Sequence, residues 1–150
     1  MPRKDATADS RGQGLEKFAI TLLNTCFEVV KVRSRLPVGE VDVIIENLTH
    51  SPFWANYPGD IWVECRNTEA KATIEQVNTF LGKLTGSRSN LGFFMSTAGF
   101  TKDAMDRMKI VASDRTSPLI APIAGSDIDE LPQQRADPAV FFKSAIRKVA

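Results

Sequence analysis

A chain of 150 residues is the size of one domain and can bury roughly 70% of the surface that its unfolded form exposes. With 25% charged and 43% hydrophobic residues, and 19 Lys plus Arg set against 18 Asp plus Glu, the composition argues against disorder and against a uniformly basic surface, so nucleic-acid contacts would have to come from local clusters. No apolar run approaches about 20 residues and Met1-Pro2-Arg3-Lys4-Asp5 lacks an apolar signal segment, so no membrane contact and a cytoplasmic location are expected.

Residues 1–11 are polar, carry both charge signs and show no periodicity, which predicts a flexible arm ahead of a single domain over 12–150. Leu15, Phe18, Ala19, Leu22 and Leu23 then recur at helical spacing. Phe27 to Val32 and Val41 to Ile45 read as strands separated by Pro37 and Gly39. Between Asn47 and Asp60 the prolines and glycine predict a long loop, with Phe53, Trp54 and Tyr57 as anchors that pack onto the body or a partner chain; the alternative is that they wedge into or stack on nucleic acid.

Ile61 to Asn67 forms a third predicted strand, and Ala70 to Thr85 a helix ended by Gly86. Leu91 to Met95 reads as a strand buried on both faces. Thr101 is positioned to cap a helix through Ala112. Pro118 to Ile123 gives a last strand, Ser126 to Leu131 a short helical turn, and Asp137-Pro138 the start of a terminal helix. The expected fold is α/β: helix, three-strand meander, helix, strand, helix, strand, with a mixed sheet flanked by helices.

Two cysteines, Cys26 and Cys65, lie far apart, and His50 is the only histidine, so one chain cannot assemble a zinc cage from Cys and His. The cysteines read as small buried residues, and His50 as a surface loop residue. A catalytic metal would need carboxylates. Asp42 and Glu64 each sit inside an apolar strand, where an uncompensated ion costs several kcal/mol or more. Alternation puts Asp42 on one face with Glu40 and Ile44, and Glu64 on one face with Trp62 and Arg66. If the two acids meet, their oxygens suit a magnesium-class cation and phosphodiester hydrolysis. The plainer alternative is a Glu64–Arg66 ion pair with Asp42 at a solvated strand end.

Taken in order, Gly14-Leu15-Glu16-Lys17-Phe18, Gly39-Glu40-Val41-Asp42-Val43-Ile44, Glu64-Cys65-Arg66, Gln76 through Phe80, Phe94 through Thr101, and Ile123 to Leu131 resemble the Mrr-like branch of the PD-(D/E)xK nuclease superfamily, the fold of many restriction endonucleases. The resemblance implies that Asp42, Glu64 and the Cys65 carbonyl bind Mg2+ or Mn2+. It also implies that Glu16 is a supporting acid and that Gln76 supports the site. One departure stands out: Arg66 replaces the family lysine. Arginine stays protonated and cannot be a general base, but its planar fork suits holding water or stabilising phosphoryl charge. Lys71 is the nearest candidate for a relocated lysine.

The expectation is a Mg-dependent DNA endonuclease of restriction or antiviral-defence type, working as a homodimer or in a larger assembly. Lys31, Arg33, Arg35, Lys71 and Arg88 are its candidate phosphate contacts. The alternatives are a DNA-binding or assembly module that has lost catalysis through Arg66, and an RNA nuclease.

Overall fold

In the computed structural model, residues 8–24, 27–36, 39–46, 52–87, 89–134 and 138–150 are described. Helix α1 (Ala8–Leu23) precedes a meander of β1 (Glu28–Leu36), β2 (Gly39–Glu46) and β3 (Asp60–Arg66). Then α2 (Ile74–Ser87), β4 (Leu91–Ser96), α3 (Lys102–Ala112) and β5 (Leu119–Ala124) alternate, and α4 (Gly125–Gln134) and α5 (Pro138–Arg147) close the chain. The sheet runs β1-β2-β3-β4-β5, antiparallel from β1 to β3 and parallel from β3 to β5. This is the mixed sheet expected from the sequence. Pro122 is tolerated because β5 lies at the sheet edge.

The two sheet faces are sorted by residue parity. Val43, Ile45, Ile61, Val63, Cys65, Phe93 and Met95 pack against Leu15, Ala19, Leu22 and Leu23 of α1 and Phe142 and Ile146 of α5. Ile44, Trp62, Phe94 and Ile120 face the opposite way, onto Val77, Phe80 and Leu84 of α2 and Ala104 and Met108 of α3. Gly92 lies beside Trp62 in the ladder, and a Cβ there would stand 2.7 Å from the Phe80 ring and 2.8 Å from Leu84 Cδ1. Its missing side chain lets α2 settle directly on β4.

Several element boundaries differ from the sequence expectation. α1 begins at Ala8, so residues 8–11 are helix rather than arm; residues 1–7 lie outside the described residues. Once a helix is anchored by its buried stripe, each added residue gains a hydrogen bond without a new nucleation cost. α2 starts at Ile74 rather than Ala70, because Ala72 forms a β-bridge to Phe100, with backbone bonds to Gly99 and Thr101. Gly99, at φ +86°, makes that turn possible. α4 extends beyond the turn expected to stop at Leu131, continuing through Pro132 to Gln134.

Thr101 caps α3 as expected, its Oγ1 accepting the Ala104 N–H at 3.2 Å. The aromatic loop packs onto the body. Trp54 is buried, with Phe27 at 4.7 Å and Phe53 at 5.0 Å between ring centroids, and Lys143 Nζ lies 5.0 Å from the Phe53 centroid. Among the described residues no helix is long and apolar enough to cross a membrane.

Candidate active site

The β2–β3 ladder pairs Ile45 with Ile61, Ile44 with Trp62 and Val43 with Val63, so Asp42 and Glu64 come next, opposite each other. Both project from the face that α2 covers, as Ile44 and Trp62 do. At this end of the ladder Asp42 Oδ2 accepts the Cys65 backbone N–H at 2.8 Å. That bond fixes the Asp42 carboxylate beside Glu64, while the Cys65 side chain faces the opposite core.

Glu64 is buried, 7% exposed. Burial, the neighbouring Asp42 charge and a hydrogen bond to Asp42 raise its carboxyl to about 7; Lys83 and Arg66 oppose the rise. A protonated Glu64 donates to the Asp42 carboxylate, and once both are ionised the pair requires a cation. Lys83 Nζ supplies part of that charge, 3.7 Å from Glu64 Oε2. Two hard oxygen donors converging on one point are the ligand type a magnesium-class ion takes, with water and phosphate oxygens filling its remaining positions. Among the described residues no group of three or more His, Cys, Asp or Glu side chains forms a metal cage.

The other sequence candidates fall in several places. Arg66 ends β3 and is exposed, close enough to influence Glu64. Lys71 is exposed on the loop before α2. Glu16 is buried on α1, the helix that packs against the face opposite α2. Gln76 builds the start of α2: its Oε1 accepts the Thr73 N–H at 3.0 Å, and its own N–H donates to Thr73 Oγ1 at 3.4 Å. This is a reciprocal cap of the Thr-x-x-Gln type. Lys31, Arg33 and Arg35 lie on β1, where the side chains are outside the described residues, as are Arg88, Cys26 and His50.

The serine- and threonine-rich turn after β4 ties the strand ends together. The Thr97 N–H donates to the Arg66 carbonyl at 3.0 Å, Thr97 Oγ1 donates to Asn67 Oδ1 at 2.8 Å, and Ser96 Oγ donates to the Gly99 carbonyl at 2.8 Å. Gly125 closes the same end, since a Cβ there would lie 2.3 Å from the Thr97 carbonyl oxygen. Lys83 is the residue that sequence reasoning missed. Its signal was faint: a lysine on the flank of the stripe formed by Val77, Phe80 and Leu84.

A family model described as Mrr_cat, restriction endonuclease, matches residues 7–117. The chain belongs to this restriction endonuclease family. The match runs from α1 through α3 and contains Asp42, Glu64, Arg66 and Lys83; the resemblance noted over Ile123 to Leu131 falls beyond it.

Two solved structures are similar to this family member. One is a repair endonuclease from Pyrococcus abyssi, at 12% identity over 72% of this chain and 45% of that chain, with TM-score 0.46. The other is an EndoMS-dsDNA2 complex, at 10% identity over 83% of this chain and 48% of that chain, with TM-score 0.49. The chain thus spans less than half the length of either. A search of the curated proteins gives no match.

Proposed function

We propose that this restriction endonuclease family member is a metal-dependent endonuclease domain that hydrolyses DNA phosphodiester bonds. The observation that carries the reading is the contact between Asp42 and Glu64, two acids from adjacent strands converging on one side of the sheet. Asp42, Glu64 and the Cys65 carbonyl would hold Mg2+ or Mn2+. When bound, the ion supplies positive charge at a phosphoryl oxygen and acidifies water.

The chain's own groups do the rest. The Cys65 N–H keeps Asp42 aimed at Glu64. Arg66, exposed at the strand end, offers its planar fork to the non-bridging phosphate oxygens and stabilises the charge that builds there. Gln76 supports the site by fixing the first turn of α2, and Glu16, buried on α1 on the other side of the sheet, would be a supporting acid only from that side. In the net reaction water's hydroxyl becomes bonded to phosphorus as the bond to the sugar oxygen breaks, and the remaining proton ends on that oxygen.

Lys31, Arg33, Arg35, Lys71 and Arg88 would grip the backbone without reading bases. Cutting both strands of a duplex requires two such sites, so we also propose a homodimer or a larger assembly, with a role in restriction or antiviral defence.

The test is cleavage of plasmid and of single-stranded DNA in Mg2+ or Mn2+ by wild type and Asp42→Ala. A loss of roughly a hundredfold or more is expected in the variant. Equal cleavage by both proteins refutes the site. The replacement of the family lysine by Arg66 favours a second reading, a DNA-binding module without catalysis. Its signature is no cleavage by wild type in any divalent metal together with salt-sensitive DNA binding.

A further inference from the structure

Three basic side chains are candidates to serve the acidic pair, and they differ in setting. Arg66 and Lys71 are exposed. Lys83 is largely enclosed: its side chain is 17% exposed, and its Nζ stands 3.7 Å from Glu64 Oε2. It is held there by packing. Phe80 and Leu84, on the same stretch of α2, are fully buried and seat over Gly92, which presses this part of the helix onto the strand beside β3.

A cation so placed is screened less than one in open solvent, and its charge opposes the rise that burial and Asp42 impose on Glu64. At 3.7 Å the ammonium and Glu64 Oε2 form an ion pair rather than a close hydrogen bond, and the rotatable stem keeps the charge beside the carboxylate. No fixed spacing in sequence from Glu64 is needed when a helix brings the amine to the strand.

We propose that Lys83 is a positioning residue of the nuclease site, reaching from α2 to orient the Glu64 carboxylate and to set a fixed positive charge beside the phosphate being cleaved. This rests on the metal-dependent reading of Asp42 and Glu64. It divides the cationic work between two residues. Lys83 serves the acid from within, and Arg66 serves the substrate from the strand end.

The test uses the full chain, with Mn2+ as the probe. Calorimetric Mn2+ titrations and steady-state plasmid cleavage are run on wild type, Lys83→Met, Lys83→Arg, Asp42→Ala and, as a control on the exposed face of α3, Lys109→Met. With both titrations run well above pH 7, where Glu64 is ionised in either protein, removing the ammonium while keeping most of the stem takes a competing charge away from Glu64, so Mn2+ should bind roughly threefold to tenfold more tightly. At the same time kcat should fall roughly tenfold or more, with KM changed by less than about threefold. Lys83→Arg should return Mn2+ affinity toward wild type and recover part of kcat, and Lys109→Met should match wild type in both.

If Asp42→Ala loses Mn2+ while Lys83→Met keeps wild-type affinity and kcat, the role of Lys83 is overturned and the acidic pair stands. A fall in kcat without a change in Mn2+ affinity overturns action through Glu64. If wild type binds no Mn2+, or Asp42→Ala binds it as well as wild type does, both readings fall together.

Discussion

The two faces of the sheet share the same strands but are built to different ends. On the α1 and α5 face, Val43, Val63 and Cys65 continue an apolar layer to the end of the β2–β3 ladder. On the α2 face the layer of Ile44 and Trp62 gives way to Asp42 and Glu64 at that same end. One residue of register separates a stable core from a destabilising pair of acids. At this end of the ladder apolar packing and acidic chemistry are therefore divided by parity, so substitutions of the apolar layer and of the two acids should separate folding from cleavage.

The largest effect belongs to the apolar face. Phe93, fully buried and packed on Phe142 at 5.0 Å between ring centroids, should cost about 3–5 kcal/mol as Phe93→Ala, read as a lower urea midpoint.

The acidic face should instead reveal itself through pH. The folded-state value of Glu64, about 7, lies above its ordinary 4.5, so between these values the folded protein holds a proton that the unfolded chain has released. Stability contributed by Glu64 is thus present below about pH 4.5 and is lost as pH rises toward 7, a fall on the order of 3 kcal/mol. Urea melts from pH 4.5 to 8 should show the decline in wild type and a flatter profile in Glu64→Gln. Saturating Mn2+ should lift the wild-type curve at the high-pH end, because it binds the ionised pair of the folded state.

Gly92→Ala couples the two properties. Forcing a methyl group against Phe80 and Leu84 should cost about 1–3 kcal/mol and move α2 outward. Cleavage should then fall along with the melting midpoint, since Lys83 rides on α2. The smallest effect is Thr101→Ala, which removes the α3 cap for about 1 kcal/mol and should leave cleavage unchanged at temperatures where the protein stays folded.

Parity was legible in the sequence because strand alternation has a period of two, so placing Asp42 with Ile44 and Glu64 with Trp62 needed no knowledge of packing. Their meeting depended in addition on the β2–β3 register, which the meander made natural. Helix limits were harder to read. The start of α2 was moved by the Ala72 bridge to Phe100, a tertiary contact between segments 28 residues apart that no local pattern signals.

The Thr73-x-x-Gln76 cap was present in the letters, while the way Gln76 would support the site, by fixing the first turn of α2, needed the bonds themselves. For Lys83 the letters gave only its place on the flank of the α2 stripe, and its approach to Glu64 needed the fold. Whether a helical lysine reaches a strand carboxylate depends on how deeply the helix sits, and here that is set by a glycine on a different element, Gly92.

The most direct measurement is anomalous diffraction from crystals grown in Mn2+. One manganese peak within bonding distance of both Asp42 and Glu64 is the predicted result. Well-ordered carboxylates with no peak between them at saturating Mn2+, or a peak that persists in Asp42→Ala, would contradict a shared metal site.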